Sequence, residues 1–447
     1  LIKSQKILSG YSQYMIAKDY SFFKLHGQPR QGQSLGEVKE LLLSELNRIK
    51  NGQFDDWMLA AIIKNFKLDD QKRNESNSYR ARKMTDAFIL DQNWETVVNQ
   101  NKKLTTLTTN DIIAFANKYF NNNYILLNKL HGTPNSIKVT KPKITTVPLN
   151  RDTSSQFAFN FQNIPSKRMQ PIFNNYNSDV REFKLKNNIP AFYVRNTTNE
   201  IFSLSYILDM GKFSDKELAL AVNYLEYLGT DKYNANQIEQ EMFKLGLSYS
   251  VYASNERIYV QLSGLEESLE TGVKLFEHIL SSVIPNQYVY DNMVLDIIRE
   301  RQDTKLSKWS ILSGMRSYAK YGPKNPFNNI ISSEDLQSID IEKLTNKIKS
   351  LTKFKHYVYY YGRKNLSEIE TILNKYHSSN KSSKNILSPM VFSELDNMDN
   401  KVYFIDYDMV QSEITMMSKG PLYNIELIPF AKLFNEYFGS GLSSIIF

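Results

Sequence analysis

The sequence predicts an α+β protein made of repeated modules, each an antiparallel-rich mixed sheet covered by helices. Three observations carry that expectation. Met58, Ile62, Ile63 and Lys64 recur as Met293, Ile297, Ile298 and Arg299, each 235 positions on, and Val38-Lys39 recurs as Val273-Lys274 at the same offset. A constant spacing over separate segments marks repeated structural units. Between residues 180 and 265, short alternating strands follow one another directly and helices gather between them, which points to a sheet layered with helices. A second echo, at an offset of 210, matches Ala221, Tyr224, Glu226, Tyr227 and Gly229 with Ala431, Phe434, Glu436, Tyr437 and Gly439.

The elements follow in order. Residues 1–132 read as the C-terminal part of one module, with a helix around Val38, a second about 20 residues on, and, within 111–127, an amphipathic helix that runs into a strand rich in Tyr, Ile and Leu. Residues 133–179 hold five of the 13 prolines (Pro134, Pro142, Pro148, Pro165 and Pro171) among Ser, Thr, Asn and Lys, so they form an extended interdomain linker. Residues 180–395 form one complete module. V-R-E-F-K-L-K (180–186) alternates, Asn187-Asn188 signals a turn, and strands follow at 191–195 and 200–210. A helix over 216–230 puts Leu218, Ala221, Val222, Leu225 and Leu228 on one face. The next helix ends at Gly246, and 247–254 with 257–264 read as a hairpin. Leu269, Val273, Phe276 and Leu280 line one face of a helix over 266–281. The polar stretch 378–385 closes the module, and 396–447 opens a further, truncated one.

Composition narrows the function. No run of 18 apolar residues is present, so no segment is expected to span a membrane. The absence of cysteine excludes disulfides, thiolate metal sites and a cysteine nucleophile. The net charge of +8 is spread along the chain, and K-P-K (141–143) and Y-Y-Y-G-R-K (359–364) read as linker and strand end, so no nucleic-acid partner is expected. The chain starts at Leu1 and stops at Phe447 inside an apolar segment, which reads as an internal piece of a longer protein whose leader peptide, if any, is not shown.

No catalytic constellation emerges. His26, His131, His278, His356 and His377 are far apart, with no pair at helical spacing, and only His131, before Gly132, stands at a suggestive place. G-S-G-L-S (439–443) looks like a nucleophile turn, but no motif gives Ser443 a histidine or acidic partner, and no Lys-Ser/Thr follows these glycines to make a phosphate loop.

Several stretches together resemble the pitrilysin/insulinase (M16) zinc metallopeptidases in the form where two homologous halves lie on one chain. They are A-V-N-Y-L-E-Y-L-G-T (221–230), its continuation to Gly246, Y-G-P-K-N-P-F-N-N-I-I-S (321–332), F-I-D-Y-D-M-V-Q-S-E-I (404–414) and F-N-E-Y-F-G-S-G-L-S-S-I-I-F (434–447). The resemblance covers nearly all of the chain and implies a LuxS/metallohydrolase-like fold, with bowl-like halves that enclose a chamber. The family's catalytic helix carries H-x-x-E-H before a Gly-Thr pair, with a distal Glu as third ligand. By that alignment Asn223 and Tyr227 stand at the histidine positions, Glu226 at the Glu position and Ile297 at the distal ligand, flanked by Asp296 and Glu300. Zinc takes imidazole, thiolate or carboxylate. Asn and Tyr are poor substitutes, since a phenol loses its proton only near pH ~10. The 216–230 helix is therefore expected to be structural. The family's second half also lends an Arg and a Tyr to the active site after G-x-G-x-S-S; here that segment is Gly439, Gly441, Ser443 and Ser444, and the chain ends before those residues.

The expected function is thus a structural segment, chamber wall and hinge, of a two-half zinc metalloendopeptidase that degrades or processes peptides. It has no catalytic or metal-binding residue of its own, zinc belongs to the parent alone, and the partners are peptide substrates and the missing catalytic half. Family resemblance leans the location towards the bacterial periplasm or cell envelope. The alternative is a wholly non-catalytic scaffold or processing partner of the same fold. Both truncated modules are expected to lack sheet partners, and so to expose apolar surface and self-associate.

Overall fold

A computed structural model describes residues 1–2, 4–132, 139–143, 145, 153–167, 169–377, 384–396, 398–408, 412–440 and 444–446. Pro134 and Pro148 of the linker, most of the polar stretch 378–385, and Gly441, Ser443 and Phe447 lie outside them.

The first 132 residues give a hairpin of β1 (Ser9–Met15) and β2 (Phe22–Gln28), then α1 (Leu35–Lys50), α2 (Trp57–Asn74), α3 (Asn77–Ile89), two short helices α4 (Trp94–Val98) and α5 (Gln100–Leu104), and α6 (Thr109–Tyr119). Ser34 and Glu37 start α1 with a reciprocal capping box, and Thr108 and Asp111 do the same for α6. Gly27 lets α1 lie close on β2, because a Cβ there would meet Val38 at 2.6 Å. The strand expected at the end of 111–127 does not form. Ile125 and Leu127 are each 89% exposed, and among the described residues no strand pairs with this segment. A strand needs a neighbour to satisfy its amides, and the β1–β2 hairpin is the only pairing described in this region.

In the linker region, α7 (Gln156–Gln162) and α8 (Tyr176–Asp179) are short and exposed, and the other described residues form neither helix nor strand. The 180–395 unit then runs β3 (Arg181–Lys184), β4 (Pro190–Arg195), β5 (Ile201–Leu208), α9 (Lys216–Leu225), α10 (Ala235–Leu245), β6 (Leu247–Ala253) and β7 (Ile258–Leu265). It continues through α11 (Leu269–Ser282), α12 (Gln287–Thr304), α13 (Lys308–Tyr321), α14 (Ser333–Ser338), α15 (Ile341–Ile348), β8 (Tyr357–Gly362) and α16 (Leu366–Tyr376). Asn187 and Asn188 make the β3–β4 turn with φ of 63° and 60°, a left-handed pair that asparagine tolerates. The sheet order is β3-β4-β8-β5-β7-β6. Only β4 and β8 run parallel, because β8 returns after the helices and inserts between β4 and β5.

Alternation divides the sheet into two faces. Phe202, Leu204, Tyr206 and Leu208 of β5, Ile258, Val260 and Leu262 of β7, and Val358 and Tyr360 of β8 join one core with buried residues of α9, α11, α12, α15 and α16. The intervening positions form a second, partly open face; in β4 to β8 these are Ser, Gln, Tyr, Ile, Phe, Val, Leu and Pro, none of them charged, and Ile201 and Leu265 at one edge are covered by Leu68 of α2. The sequence expectation of an α+β sandwich therefore holds.

One helix boundary differs from expectation. α9 stops at Leu225, not at 230. Thr230 N–H donates to the Tyr233 carbonyl at 2.7 Å, Ile284 N–H donates to the Gly229 carbonyl at 3.0 Å, and Thr230 bridges to Val283. A local turn and the long-range pairing with 283–284 thus replace the helical bonds. Past residue 396, α17 (Ile428–Phe438) forms, but Phe434 and Tyr437, which match buried Tyr224 and half-buried Tyr227, are 59% and 68% exposed.

Candidate functional site

The aligned motif positions lie at the end of α9 and on α12. Asp215 caps α9, its Oδ1 accepting from Leu218 N–H at 2.9 Å, and Leu218, Ala221, Val222, Tyr224 and Leu225 anchor the helix in the core. Asn223 and Glu226 consequently face outwards and are exposed, while Tyr227 is half-buried. Ile297 on α12 packs half-buried against the core and offers no donor atom.

The N-terminal segment supplies the cation at this place. Arg30 Nη2 lies 2.9 Å from Asp296 Oδ2 and donates also to the Asn292 carbonyl at 3.4 Å. Gln5 bonds the same helix, accepting from Asn292 Nδ2 at 3.2 Å. The Tyr227 phenol is held above its ordinary range, mainly by burial and further by the negative charges of Glu226 and Asp296, with Arg30 opposing. It therefore stays protonated. Amide, phenol and isoleucine do not fit zinc, and a guanidinium already pairs with the carboxylate next to Ile297. Among the described residues no group of three or more His, Asp or Glu could hold a metal ion.

A cavity of about 510 Å³ opens beside this place, lined by Gln5, Tyr227, Thr230, Asp231, Tyr233 and Asn286 among others. His278 from α11 closes one flank, with Nε2 3.1 Å from both Thr230 Oγ1 and Asp231 Oδ1.

The histidines are less scattered than their spacing suggests. His356 and His377 meet in the core, Nε2 to Nε2 at 2.9 Å, and are 5% and 7% exposed. Their separation of 21 residues left no signal in the sequence. His131 is exposed, and His26 stacks on Tyr11 at 4.7 Å between ring centres.

No protein-family description matches the sequence, and no curated protein does. Solved structures similar to the chain include a peptidase M16 inactive domain from Pseudomonas fluorescens, at 14% identity and a TM-score of 0.42, covering 49% of this chain and 54% of that one. The periplasmic protease PqqL from Escherichia coli is similar at 12% identity and a TM-score of 0.43, over 88% of this chain and 46% of its own. The ferredoxin protease FusC, in complex with Arabidopsis ferredoxin, is similar at 11% identity and a TM-score of 0.44, over 88% and 47%. The chain spans about half the length of these structures.

Proposed function

We propose that this chain is a non-catalytic, pitrilysin/insulinase-like segment of a larger peptide-handling protein, serving as chamber wall and as hinge between its units. The observation that carries the reading is the α9–α12 place. The helix that would hold a metal presents Asn223, Glu226 and Tyr227, the distal position is Ile297, and Arg30 stands where positive charge is called for. The contact between the N-terminal residues and the 180–395 unit supports a hinge. It is chiefly polar, with Lys64–Glu267 at 2.9 Å and Lys67–Glu200 at 3.2 Å around a small buried cluster of Leu68, Ile201 and Leu265.

The open sheet face supports a wall that tolerates many peptides. Across neighbouring strands it carries Tyr252, Tyr259, Ile207 and Tyr357 in one row, and Ser250, Gln261, Tyr359 and Phe192 in the next, where Ser205 between them is buried. An ordinary surface is roughly a quarter to a third charged. Tyrosine and serine give contact area and adaptable hydrogen bonds without selecting for charge.

Zinc content and peptide cleavage of the purified chain test the reading together. Well below one zinc per chain and no chelator-sensitive cleavage are expected, with unfolded peptides protecting Tyr252 and Tyr357 from nitration. Stoichiometric zinc, or cleavage abolished by a chelator, would overturn it. The sequence upstream in the parent then separates a peptidase, with H-x-x-E-H in an earlier module, from a scaffold without it.

A further inference from the structure

Four polar side chains form a continuous buried array inside the 180–395 unit. Tyr206 of β5 donates its hydroxyl to Glu277 Oε1 of α11 at 2.7 Å. His377, at the end of α16, places Nδ1 2.8 Å from that same oxygen and Nε2 2.9 Å from His356 Nε2. His356 Nδ1 is 2.7 Å from the Phe354 carbonyl.

The proton positions follow from what each partner can do. A carbonyl only accepts, so His356 carries its proton on Nδ1 and, when neutral, its Nε2 must accept from His377 Nε2–H. Burial, reinforced by His377, holds His356 down to about 4, so it is neutral at pH 7. Burial and then Glu277 keep Tyr206 protonated. One further proton is shared between His377 Nδ1 and Glu277. Every polar atom of the array named here is satisfied by this single arrangement.

The array sits where the chain leaves the unit. His377 terminates α16, its main-chain N–H bonding the Leu373 carbonyl at 2.8 Å. The loop before His356 holds the returning strap: Lys384 N–H donates to the Lys353 carbonyl at 2.8 Å, and Lys355 N–H to the Lys384 carbonyl at 3.1 Å. The strap continues to Met390 and Leu395, whose N–H groups bond Phe213 and Lys320 carbonyls at 2.8 Å each.

We propose that the Tyr206–Glu277–His377–His356 array is a proton-operated latch, which fixes α16 and the strap in neutral solution and opens when His356 takes up a proton. A second proton changes two things at once. His356 Nε2–H then points at His377 Nε2–H, donor against donor, and two positive rings face each other at hydrogen-bond distance in a buried site. Glu277 can neutralise only one of them. Among the described residues, Lys355 and Lys384 are exposed cations, and Glu270, the other carboxylate of α11 at this end of α16, is already held by Lys375 Nζ at 3.0 Å and Tyr376 Oη at 3.1 Å. If His377 instead passes its proton to Glu277 and accepts from His356, His356 is left a buried cation without an anion; either way the pair is weakened, and with it the anchor of α16 and of the 353–356 loop. The latch does not depend on the peptidase reading.

Histidine-selective ¹⁵N NMR of the full chain, with hydrogen exchange between pH 4 and 8, tests the latch. At pH 7 His356 is expected to be the neutral Nδ1–H form, its Nε2 accepting from His377 Nε2–H. As pH falls from 6.5 to 4, exchange in 366–377 and 384–396 should accelerate before that in β5 and β7. The gap between 6.5 and about 4 allows an opening constant up to roughly 300-fold larger. His356→Gln supplies an acceptor to His377 and a donor to Phe354 but cannot titrate, so it should remove this acid response. The proposal fails if His356 titrates near 6.5, if exchange rises evenly over the unit, or if the Gln variant keeps the full response. Should that variant not fold, the wild-type titration and exchange decide alone.

Discussion

Arg30 and Asp296 stand 266 residues apart and meet at 2.9 Å, their side chains only 14% and 24% exposed. This pair ties the N-terminal residues to α12 at the place where the sequence aligns with a metal site. Arg30→Ala leaves a partly buried carboxylate without its guanidinium, and the expected loss is about 1–2 kcal/mol. Hydrogen exchange would read it as faster opening of α1 and α2, with the core of the 180–395 unit unchanged. Arg30→Lys should recover only part, because the shorter lysine does not carry its nitrogen to where Arg30 Nη2 meets both Asp296 and the Asn292 carbonyl.

The same pair governs an engineered zinc site. Asn223→His with Tyr227→His places two imidazoles around Glu226 at the spacing of a zinc helix. With Arg30 in place the ion meets a fixed positive charge. Adding Arg30→Ala should tighten zinc binding roughly tenfold, the effect of about 1.4 kcal/mol of repulsion. Competition with a coloured chelator measures it; equal affinity with and without Arg30 would show that the guanidinium does not guard the place.

Glu266 fixes the turn from β8 into α16. It is 8% exposed, and its carboxylate accepts from Tyr360 Oη at 2.6 Å and Arg363 N–H at 2.8 Å. Burial, with Glu266 adding to it, pushes the Tyr360 hydroxyl far up, so it remains a donor. Glu266→Ala leaves the buried Tyr360 hydroxyl and the part-buried Arg363 N–H without their acceptor and should cost about 2–3 kcal/mol in chemical denaturation. Glu266→Gln, which keeps one acceptor oxygen, should cost less.

Gly264 sits at φ 154°, and a Cβ there would lie 2.3 Å from the Gly246 carbonyl oxygen. Backbone cannot give way as a side chain can. Gly264→Ala should therefore lower stability by about 2–4 kcal/mol, read as a fall in Tm.

Exposed apolar side chains concentrate outside the 180–395 unit. Ile125 and Leu127 are each 89% exposed, as is Tyr20, and Phe430 and Leu433 of α17 are 72% and 71% exposed. Light scattering of the purified chain should show concentration-dependent self-association, and Ile125→Lys with Leu127→Lys should reduce it. A monodisperse monomer at high concentration would refute the expectation.

Much of the fold was legible because its signals are local. Period-two alternation marked β5 and β7, Asn187-Asn188 marked a turn, and Gly246, at φ 64°, ended α10 as expected. Each depends on residues within a few positions, where backbone sterics and side-chain direction are settled. At the candidate site the sequence showed the residue types at the aligned positions, Asn223, Tyr227 and Ile297, but not the Arg30–Asp296 pair beside them, whose members stand 266 residues apart.

The sequence by itself determined the α+β class and most of the strand and helix pattern of the 180–395 unit. Tertiary structure alone decided the insertion of β8 between β4 and β5, the end of α9 at Leu225, the unpaired state of 124–127, the Arg30–Asp296 pair and the joining of His356 to His377. The reason is one of range. Propensity and periodicity act over a turn or a strand, whereas these features arise when residues distant in sequence compete for the same hydrogen bonds and the same buried space.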